Sequence, residues 1–231
     1  MKLQLEDRSL SEISQAPVLD WSTTPLAKDH AGRYAKIIDN VFTPEECDAL
    51  IALAQSDGKQ FTPAFVNFGM GASDKFIDLE FRNSDRILRF DQDAAEQMYR
   101  RILPYIPELV ELKPLDRYWE CIANIDKHLR PTWKLVGMNE RLSFLRYGPG
   151  QYFREHADTF VELPDGRKSF VTIQIYLGED GVEGGATRLQ NSIATRFFDV
   201  EPKKGRVLIF QQANIWHTGR RGGEGKQIYS P

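Results

Sequence analysis

Apolar residues recur at helical spacing in two stretches of the N-terminal half. In the first, a Thr-Pro-Glu-Glu motif at residues 43–46 precedes an apolar face within residues 47–54. This motif is a capping box with proline at the first helical position, so it predicts a helix with one buried face. A second helix is predicted to begin near Asp91 or Asp93 and to be broken by Pro104.

The pattern of apolar positions changes from Gly137 onward. Short runs rich in Leu, Phe, Val, Ile and Tyr alternate with turn signals such as Gly-Pro-Gly at 148–150 and Pro-Asp-Gly at 164–166. Strand-length runs at this spacing are typical of a sandwich or barrel. Because helices come first and strands dominate later, the pattern predicts an α+β fold whose C-terminal half is a double-sheet barrel.

No repeat, low-complexity tract or long linker divides the chain, so a single domain over residues 1–231 is expected. Within it, residues 1–40 are expected to form a polar lead-in and residues 41–136 a helical and mixed support region. Residues 137–231 are expected to form the catalytic core. A strand-like stretch at residues 34–41 leads into the first helix.

Composition and charge exclude several classes of protein. The formal net charge is −3, which argues against nucleic-acid or membrane binding through electrostatics, and no such partner is expected. Two cysteines are too few for a disulfide scaffold. The N-terminal residues show no apolar signal segment and no run is long enough to span a bilayer, so a cytoplasmic location is expected.

Four histidines are present, and two of them could share a metal with a carboxylate. His156 and Asp158 are two residues apart, so in an extended segment both side chains point to the same face. His217 follows a very apolar run and could approach them from a neighbouring strand. Two imidazoles and one carboxylate on one face suit non-haem Fe(II). The alternative for either part alone is an ordinary histidine at a strand end or beside Trp216.

Three sequence blocks resemble the prolyl-4-hydroxylase-like branch of the Fe(II)/2-oxoglutarate dioxygenases. They are NERLSFLRYGPGQYFREHAD at 139–158, VTIQIYLGED at 171–180 continuing to EGGATRLQ at 183–190, and VEPKKGRVLIFQQANIWHTGR at 200–220. The resemblance implies a double-stranded β-helix (jelly-roll) core with N-terminal flanking helices. It also implies that His156, Asp158 and His217 are the iron ligands and catalytic centre.

The same resemblance assigns residues to 2-oxoglutarate. Tyr147 matches the tyrosine that hydrogen-bonds this co-substrate, and Thr187 matches a threonine near it. Lys226 is the best match for the cation that anchors the distal carboxylate, with Arg220 and Arg221 as rival candidates. The resemblance therefore implies Fe(II), 2-oxoglutarate and O₂, with ascorbate as reductant. The carboxylate of Asp158 favours hydroxylation over halogenation.

The implied substrate is a prolyl or other amino-acid side chain, peptidyl or free. Ser169 stands where relatives that act on peptidyl proline have an arginine, which weakens prolyl specificity and leaves a small metabolite open. The block Arg82-Asn83-Ser84 resembles a polar segment near the substrate opening of family members, the alternative being ordinary loop polarity. The sequence does not indicate an oligomeric state.

Two other functions remain as alternatives. One is a nucleic-acid demethylase on the same scaffold, against which the net charge of −3 counts. The other is a non-catalytic jelly-roll module that holds a metal, against which the matches at Tyr147 and Thr187 count. His30 and His128 are expected to be surface histidines without a role.

Overall fold

The computed structural model describes residues 2–6, 16–65, 77–123, 129–181, 184–221 and 228–230. Lys226 and His128 lie outside these residues. Among the described residues, the α-helices are α1 (Pro44–Gln55) and α2 (Gln92–Ile102). Shorter helical turns are the 3₁₀ turns Trp21–Thr23, Ser56–Gly58, Leu103–Tyr105 and Pro107–Leu109 and the π turn Trp119–Ala123. No helix in this part of the chain has the length and apolar character needed to cross a bilayer.

The strands, in chain order, are β1 (Ala35–Ile38), β2 (Thr62–Pro63), β3 (Arg82–Asn83), β4 (Asp85–Phe90), β5 (Glu111–Leu112), β6 (Trp133–Lys134), β7 (Arg141–Tyr147), β8 (Tyr152–Ala157), β9 (Val171–Ile175), β10 (Thr187–Gln190), β11 (Phe197–Val200), β12 (Val207–Gln211), β13 (Trp216–Gly219) and β14 (Ile228–Ser230).

Both helices begin as the sequence predicts. At α1 the Thr43 hydroxyl accepts a bond from the Glu46 backbone N–H at 3.1 Å, and the Glu46 carboxylate accepts from the Thr43 N–H at 2.9 Å. These two bonds confirm the capping box. At α2 the Asp91 carboxylate accepts from the Ala94 N–H at 3.1 Å, so Asp91 is the cap. The helix ends at Ile102, two residues before Pro104.

All strand pairings are antiparallel, and many join segments far apart in the chain. One sheet has the order β1-β12-β9, a second β11-β10-β13-β8-β3, a third β14-β7-β4-β2, and β5 pairs with β6. β12 is buried at all of its positions, because strands flank it on both edges and side chains cover both faces. The predicted C-terminal array of strands is therefore present.

Described parts of the lead-in are more deeply packed than its polarity indicates. Leu3, Trp21 and Leu26 are almost fully buried, and β1 pairs with β12 in the core. The expectation that His30 is a surface residue is wrong. Its side chain is fully buried and meets the edge of the Trp21 ring, with ring centroids 4.8 Å apart. A lone histidine gives no local signal of burial, because its packing depends on distant residues.

The apolar-rich segment that ends at Phe153 forms parts of two strands. β7 and β8 are separated by the Gly-Pro-Gly turn, in which Gly150 has a φ of +75°. Only glycine adopts this left-handed conformation without strain. His156 consequently lies within β8. This position fixes its backbone in a central strand of the second sheet.

Candidate metal centre and adjoining cavities

Two adjacent strands bring the predicted ligands together. His156 in β8 lies directly opposite His217 in β13, and Asp158 follows the end of β8. The Asp158 Oδ1 atom is 3.7 Å from His156 Nε2, and Oδ2 is 3.8 Å from His217 Nε2. One ligand atom from each of the three residues lies within 4.8 Å of the other two. The pattern of two residues on one face and a third from a neighbouring strand is confirmed as geometry.

Hydrogen bonds orient both imidazoles toward this common point. Nδ1 of His156 lies 2.8 Å from the Arg154 carbonyl oxygen, and Nδ1 of His217 lies 3.3 Å from that of Ile215. A carbonyl can only accept, so each Nδ1 carries the proton and each Nε2 presents a lone pair. A histidine held in this way is prepared to bind a metal through Nε2.

Protonation favours the ligand state. Burial, followed by the neighbouring charge of His217, lowers the pKa of His156 to about 3, so this imidazole is neutral near pH 7. Burial alone raises the pKa of Asp158, but His217, His156 and a hydrogen bond from Thr172 outweigh it and hold that pKa below its usual value. The centre therefore offers a neutral imidazole at His156 and an ionised carboxylate at Asp158, with His217 Nε2 directed at the same point.

Side chains around the triad fix its shape. The Thr172 hydroxyl in β9 donates to Asp158 Oδ2 at 2.5 Å. The Phe153 ring stacks on the His156 ring with centroids 3.7 Å apart. The guanidinium of Arg82, on β3, lies 4.3 Å from the Phe153 centroid. His156 is thus packed in a layered stack, which restricts rotation of its ring.

A cavity of about 280 Å³, the smaller cavity, opens beside the triad. Its wall includes Tyr147, Gln174, Thr187 and Gly219, together with His156, Asp158 and His217. A Cβ atom on Gly219 would come within 3.3 Å of the Tyr147 hydroxyl. The absence of a side chain at Gly219 therefore lets the tyrosine lie close against β13.

Thr187 is almost fully buried and has a directed hydroxyl. Its Oγ1 accepts hydrogen bonds from the Gln174 amide and from the Tyr176 hydroxyl, both at 2.8 Å. With two bonds accepted, the Thr187 proton remains available for an acceptor in the smaller cavity. Burial raises the pKa of Tyr147 despite the nearby Arg82 charge, so its hydroxyl is also a neutral donor. Tyr147 and Thr187, two of the three residues that the resemblance assigned to 2-oxoglutarate, thus line this one cavity.

The larger cavity, about 1010 Å³, reaches His156 and Asp158 from another direction. One part of its wall is apolar and includes Trp133 and Phe170, whose rings meet edge to face at 4.9 Å. Another part carries the arginines Arg82, Arg86 and Arg141. Arg82 lines both cavities and is buried, so the first residue of the polar block at residues 82–84 belongs to the cavity wall and not to an exposed loop.

The cations considered for the distal carboxylate occupy different places. Lys226 lies outside the described residues, so its role stays a prediction. Arg220 lines the smaller cavity but is half-exposed, with Nη1 3.6 Å from Asp199 Oδ2. The Arg221 guanidinium lies 5.0 Å from the centroid of the Tyr152 ring and is exposed.

Several residues of the site have no signal in the sequence that would single them out. Thr172, Gln174, Arg86 and Arg141 resemble ordinary strand residues. They reach the cavities because β9 pairs with β12 and because β4 pairs with β7. The only local signal is alternation, since Tyr147 and Arg141 are an even number of residues apart in one strand and share a face.

The donor set fits a divalent metal of the first transition series. Two imidazole nitrogens and one carboxylate on one face leave further coordination positions free, which is the arrangement of non-haem Fe(II) oxygenases. The oriented Nδ1 hydrogen bonds add the outer contacts that such ligands usually have. Ferrous iron therefore suits the three residues.

Comparison with known proteins agrees with this chemistry. Residues 142–227 match the family model of the 2OG-Fe(II) oxygenase superfamily. The matched segment is thus similar to the 2OG-Fe(II) oxygenases, a superfamily that uses Fe(II), 2-oxoglutarate and O₂. All three candidate ligands and the residues Tyr147 and Thr187 lie inside the matched segment.

The similar proteins include prolyl hydroxylases, as the sequence blocks indicate. The chain is 24% identical over 199 residues to prolyl 4-hydroxylase 1 of Arabidopsis thaliana, covering 80% of this chain and 58% of that protein. A Pseudomonas putida prolyl-4-hydroxylase structure matches with a TM-score of 0.54 and 17% identity, over 89% of this chain and 92% of that one.

A prolyl hydroxylase from Trichoplax adhaerens, solved with a peptide fragment of the hypoxia inducible factor oxygen degradation domain, also has a TM-score of 0.54. It is 15% identical and covers 89% of this chain and 84% of its own. These structural likenesses show the fold, a jelly roll rich in antiparallel strands. The chain spans little more than half the length of the curated Arabidopsis relative.

Proposed function

We propose that this protein is a non-haem Fe(II)/2-oxoglutarate-dependent dioxygenase that hydroxylates an unactivated C–H bond. The observation that carries the proposal is the convergence of His156 Nε2, His217 Nε2 and the Asp158 carboxylate on one point, within 4.8 Å of one another. This point lies where the smaller and larger cavities meet, because His156 and Asp158 line both of them.

In this proposal His156, Asp158 and His217 hold the iron, and 2-oxoglutarate occupies the smaller cavity. Tyr147 and Thr187 donate hydrogen bonds to the co-substrate through hydroxyls that are buried and neutral. Lys226 is proposed as the anchor of the distal carboxylate. It precedes by two residues Ile228, whose backbone pairs with Tyr147 across β14 and β7.

Iron with 2-oxoglutarate and O₂ supplies the oxidising power for hydroxylation, and ascorbate is proposed to keep the metal reduced. The chain contributes orientation. Thr172 holds the Asp158 carboxylate, and the carbonyls of Arg154 and Ile215 hold the two imidazoles. Tyr147 and Arg82 close one side of the centre with buried groups, which limits the access of water.

The substrate is proposed to be an amino-acid side chain, peptidyl or free, with a small metabolite as the second candidate. The Arabidopsis and Trichoplax relatives favour prolyl chemistry. Ser169 favours a different substrate, because it stands where relatives that act on peptidyl proline have an arginine. Its hydroxyl is also engaged within the fold. Its Oγ accepts from the Val161 N–H at 2.8 Å and lies 3.2 Å from Gln212 Oε1.

The test is succinate release with Fe(II), 2-oxoglutarate, O₂ and ascorbate over a panel of proline-rich peptides, free amino acids and small carboxylic acids. We expect the wild-type protein to release succinate and Asp158→Ala to release none. Asp48→Ala removes an exposed carboxylate that pairs with Lys204 at 2.7 Å and serves as the matched control. Metal binding without succinate in the wild type would favour the non-catalytic metal-binding module.

A further inference from the structure

Four arginines line the larger cavity, and three of them, Arg82, Arg86 and Arg141, form no ion pair with a carboxylate among the described residues. Arg82 is buried, and its Nε donates to the Ser84 hydroxyl at 3.2 Å. Arg86 is partly buried and Arg141 is exposed. Burial, followed by the positive charges of Arg82 and Arg141, lowers the pKa of Arg86 to about 10. Arg86 therefore lies near enough to both Arg82 and Arg141 to be repelled by each.

The acidic residues of the same wall do not balance this charge. In the described part of the chain they are Asp158 and Asp165. Asp158 belongs to the metal centre and attracts Arg82, which offsets the charge only in part, and Asp165 pairs with Arg167 at 2.7 Å. Bringing like charges together in a partly desolvated cavity costs free energy. The cost is offset when an anion occupies the cavity.

The remainder of the wall sets the shape of such an anion. Trp133 and Phe170 form an aromatic corner, and Ile173 and Leu142 extend the apolar surface. A cavity of about 1010 Å³ has room for a compound much larger than 2-oxoglutarate. Its walls therefore match a molecule with an apolar body and a negatively charged end.

We propose that the larger cavity binds a substrate with a free carboxylate, held by Arg82, Arg86 and Arg141, and an apolar body packed against Trp133 and Phe170. Guanidinium groups bind carboxylates through two parallel hydrogen bonds, which fixes orientation as well as charge. The inference rests on the proposed function, because His156 and Asp158 line the same cavity and make its occupant the molecule that is oxidised.

This carboxylate is distinct from those of 2-oxoglutarate. Arg86 and Arg141 line only the larger cavity, while Tyr147 and Thr187 line only the smaller one. The proposal also separates two kinds of amino-acid substrate. A residue inside a peptide has no free α-carboxylate, whereas a free amino acid or a small carboxylic acid keeps it.

The test compares matched pairs of ligands by calorimetry: hexanoate with hexanamide, octanoate with octanamide, and phenylbutyrate with phenylbutyramide. Full-length protein is loaded with Mn(II) in place of Fe(II) and with saturating 2-oxoglutarate, so that the smaller cavity is filled and no turnover occurs. We expect at least one acid to bind about 10-fold or more tightly than its amide, as charge-assisted bonds require. Equal affinity of acid and amide in all three pairs overturns the proposal.

Variants identify the residue that makes the acid bind more tightly than the amide. Arg86→Gln should lower the affinity for the preferred acid about 10-fold, toward that of the amide, and leave the affinity for 2-oxoglutarate unchanged. Arg100→Gln, at an exposed position on α2 where the side chain pairs with Glu96, is the control and should keep the preference. A preference that survives Arg86→Gln also overturns the proposal. Acid preference in a protein that releases no succinate would leave the anion site standing and reject the oxygenase function.

Discussion

A buried arginine in the support region and one in the larger cavity have different kinds of partner. In the support region, Arg101 on α2 binds the Glu46 carboxylate of α1 with both terminal nitrogens at 2.7 Å, and both side chains are less than a tenth exposed. In the cavity, Arg82 is similarly buried but bonds to a serine hydroxyl. The first arginine is neutralised within the fold, whereas the second keeps its charge for a ligand.

The support arrangement recurs outside the cavity. Three further arginines bind carboxylates at 2.6–2.7 Å, in the pairs Arg146–Asp85, Arg188–Asp199 and Arg206–Asp39. The fold thus has acidic residues available and places them beside several partly buried arginines outside the larger cavity. The lack of such a partner at Arg82, Arg86 and Arg141 is therefore informative about function.

The largest expected effect on stability comes from removing the carboxylate partner of Arg101. Glu46→Gln leaves a buried guanidinium without a counter-charge, so we expect the free energy of unfolding to fall by about 3–5 kcal/mol. Urea denaturation measures the change. Glu96→Gln, which breaks the exposed pair with Arg100, should cost less than about 0.5 kcal/mol. Equal losses in the two variants would contradict the importance assigned to burial.

The next effect concerns the metal centre. Thr172→Val removes the hydroxyl that donates to Asp158 at 2.5 Å, so the affinity for Fe(II) should fall by about 10- to 100-fold. Anaerobic metal titration measures it. Thr172→Ser keeps the hydroxyl and should retain most of the affinity. Metal binding by the valine variant as tight as that of the wild type would show that Asp158 needs no support from β9.

A smaller effect of opposite sign is expected in the cavity. Arg86→Met removes an unpaired, repelled charge, so the free energy of unfolding should rise by about 0.5–2 kcal/mol in the ligand-free protein. Arg146→Met, on the partner strand, removes an arginine that pairs with Asp85 at 2.7 Å and should lower it by about 1–2 kcal/mol. Denaturant curves of the two variants give the comparison. Destabilisation by Arg86→Met would mean that Arg86 supports the fold.

The smallest effect is a dependence on pH. Burial, more than any other factor, lowers the pKa of His30, although Asp29 opposes it. The unfolded chain therefore binds a proton below about pH 6.5 that the folded chain does not, and stability falls as the pH decreases. We expect His30→Phe to reduce the loss of stability between about pH 7.5 and pH 5.5. The other histidines are common to both proteins, so an unchanged slope would mean that His30 accepts a proton while folded.

Sequence reasoning reached the parts of the site that depend on local pattern. The spacing of His156 and Asp158, with His217 after an apolar strand, indicated that the three side chains could meet, and their ligand atoms do lie within 4.8 Å of one another. Tyr147 and Thr187 were assigned through resemblance and do share one cavity. The capped helices were also predictable, because capping depends on residues within one turn.

The remainder depends on which strands become neighbours. Arg86 lies beside β7 through the register that pairs it with Leu145, and Thr172 reaches Asp158 from β9. His30 is buried by contacts with Trp21 and Arg33 that no periodicity reveals. The charge arrangement of the larger cavity could not be predicted for the same reason. The sequence around an arginine does not show whether a carboxylate will face its side chain in the fold.

The most direct test of the oxygenase function is turnover under heavy-oxygen gas. The reaction divides O₂ between succinate and the hydroxylated product, so succinate made by the wild-type protein should carry one heavy-oxygen atom from the gas. The Asp158→Ala protein should make none. Succinate without the label, or labelled succinate formed equally by the Asp158→Ala protein, would contradict the assignment of His156, Asp158 and His217 as the oxygen-activating centre.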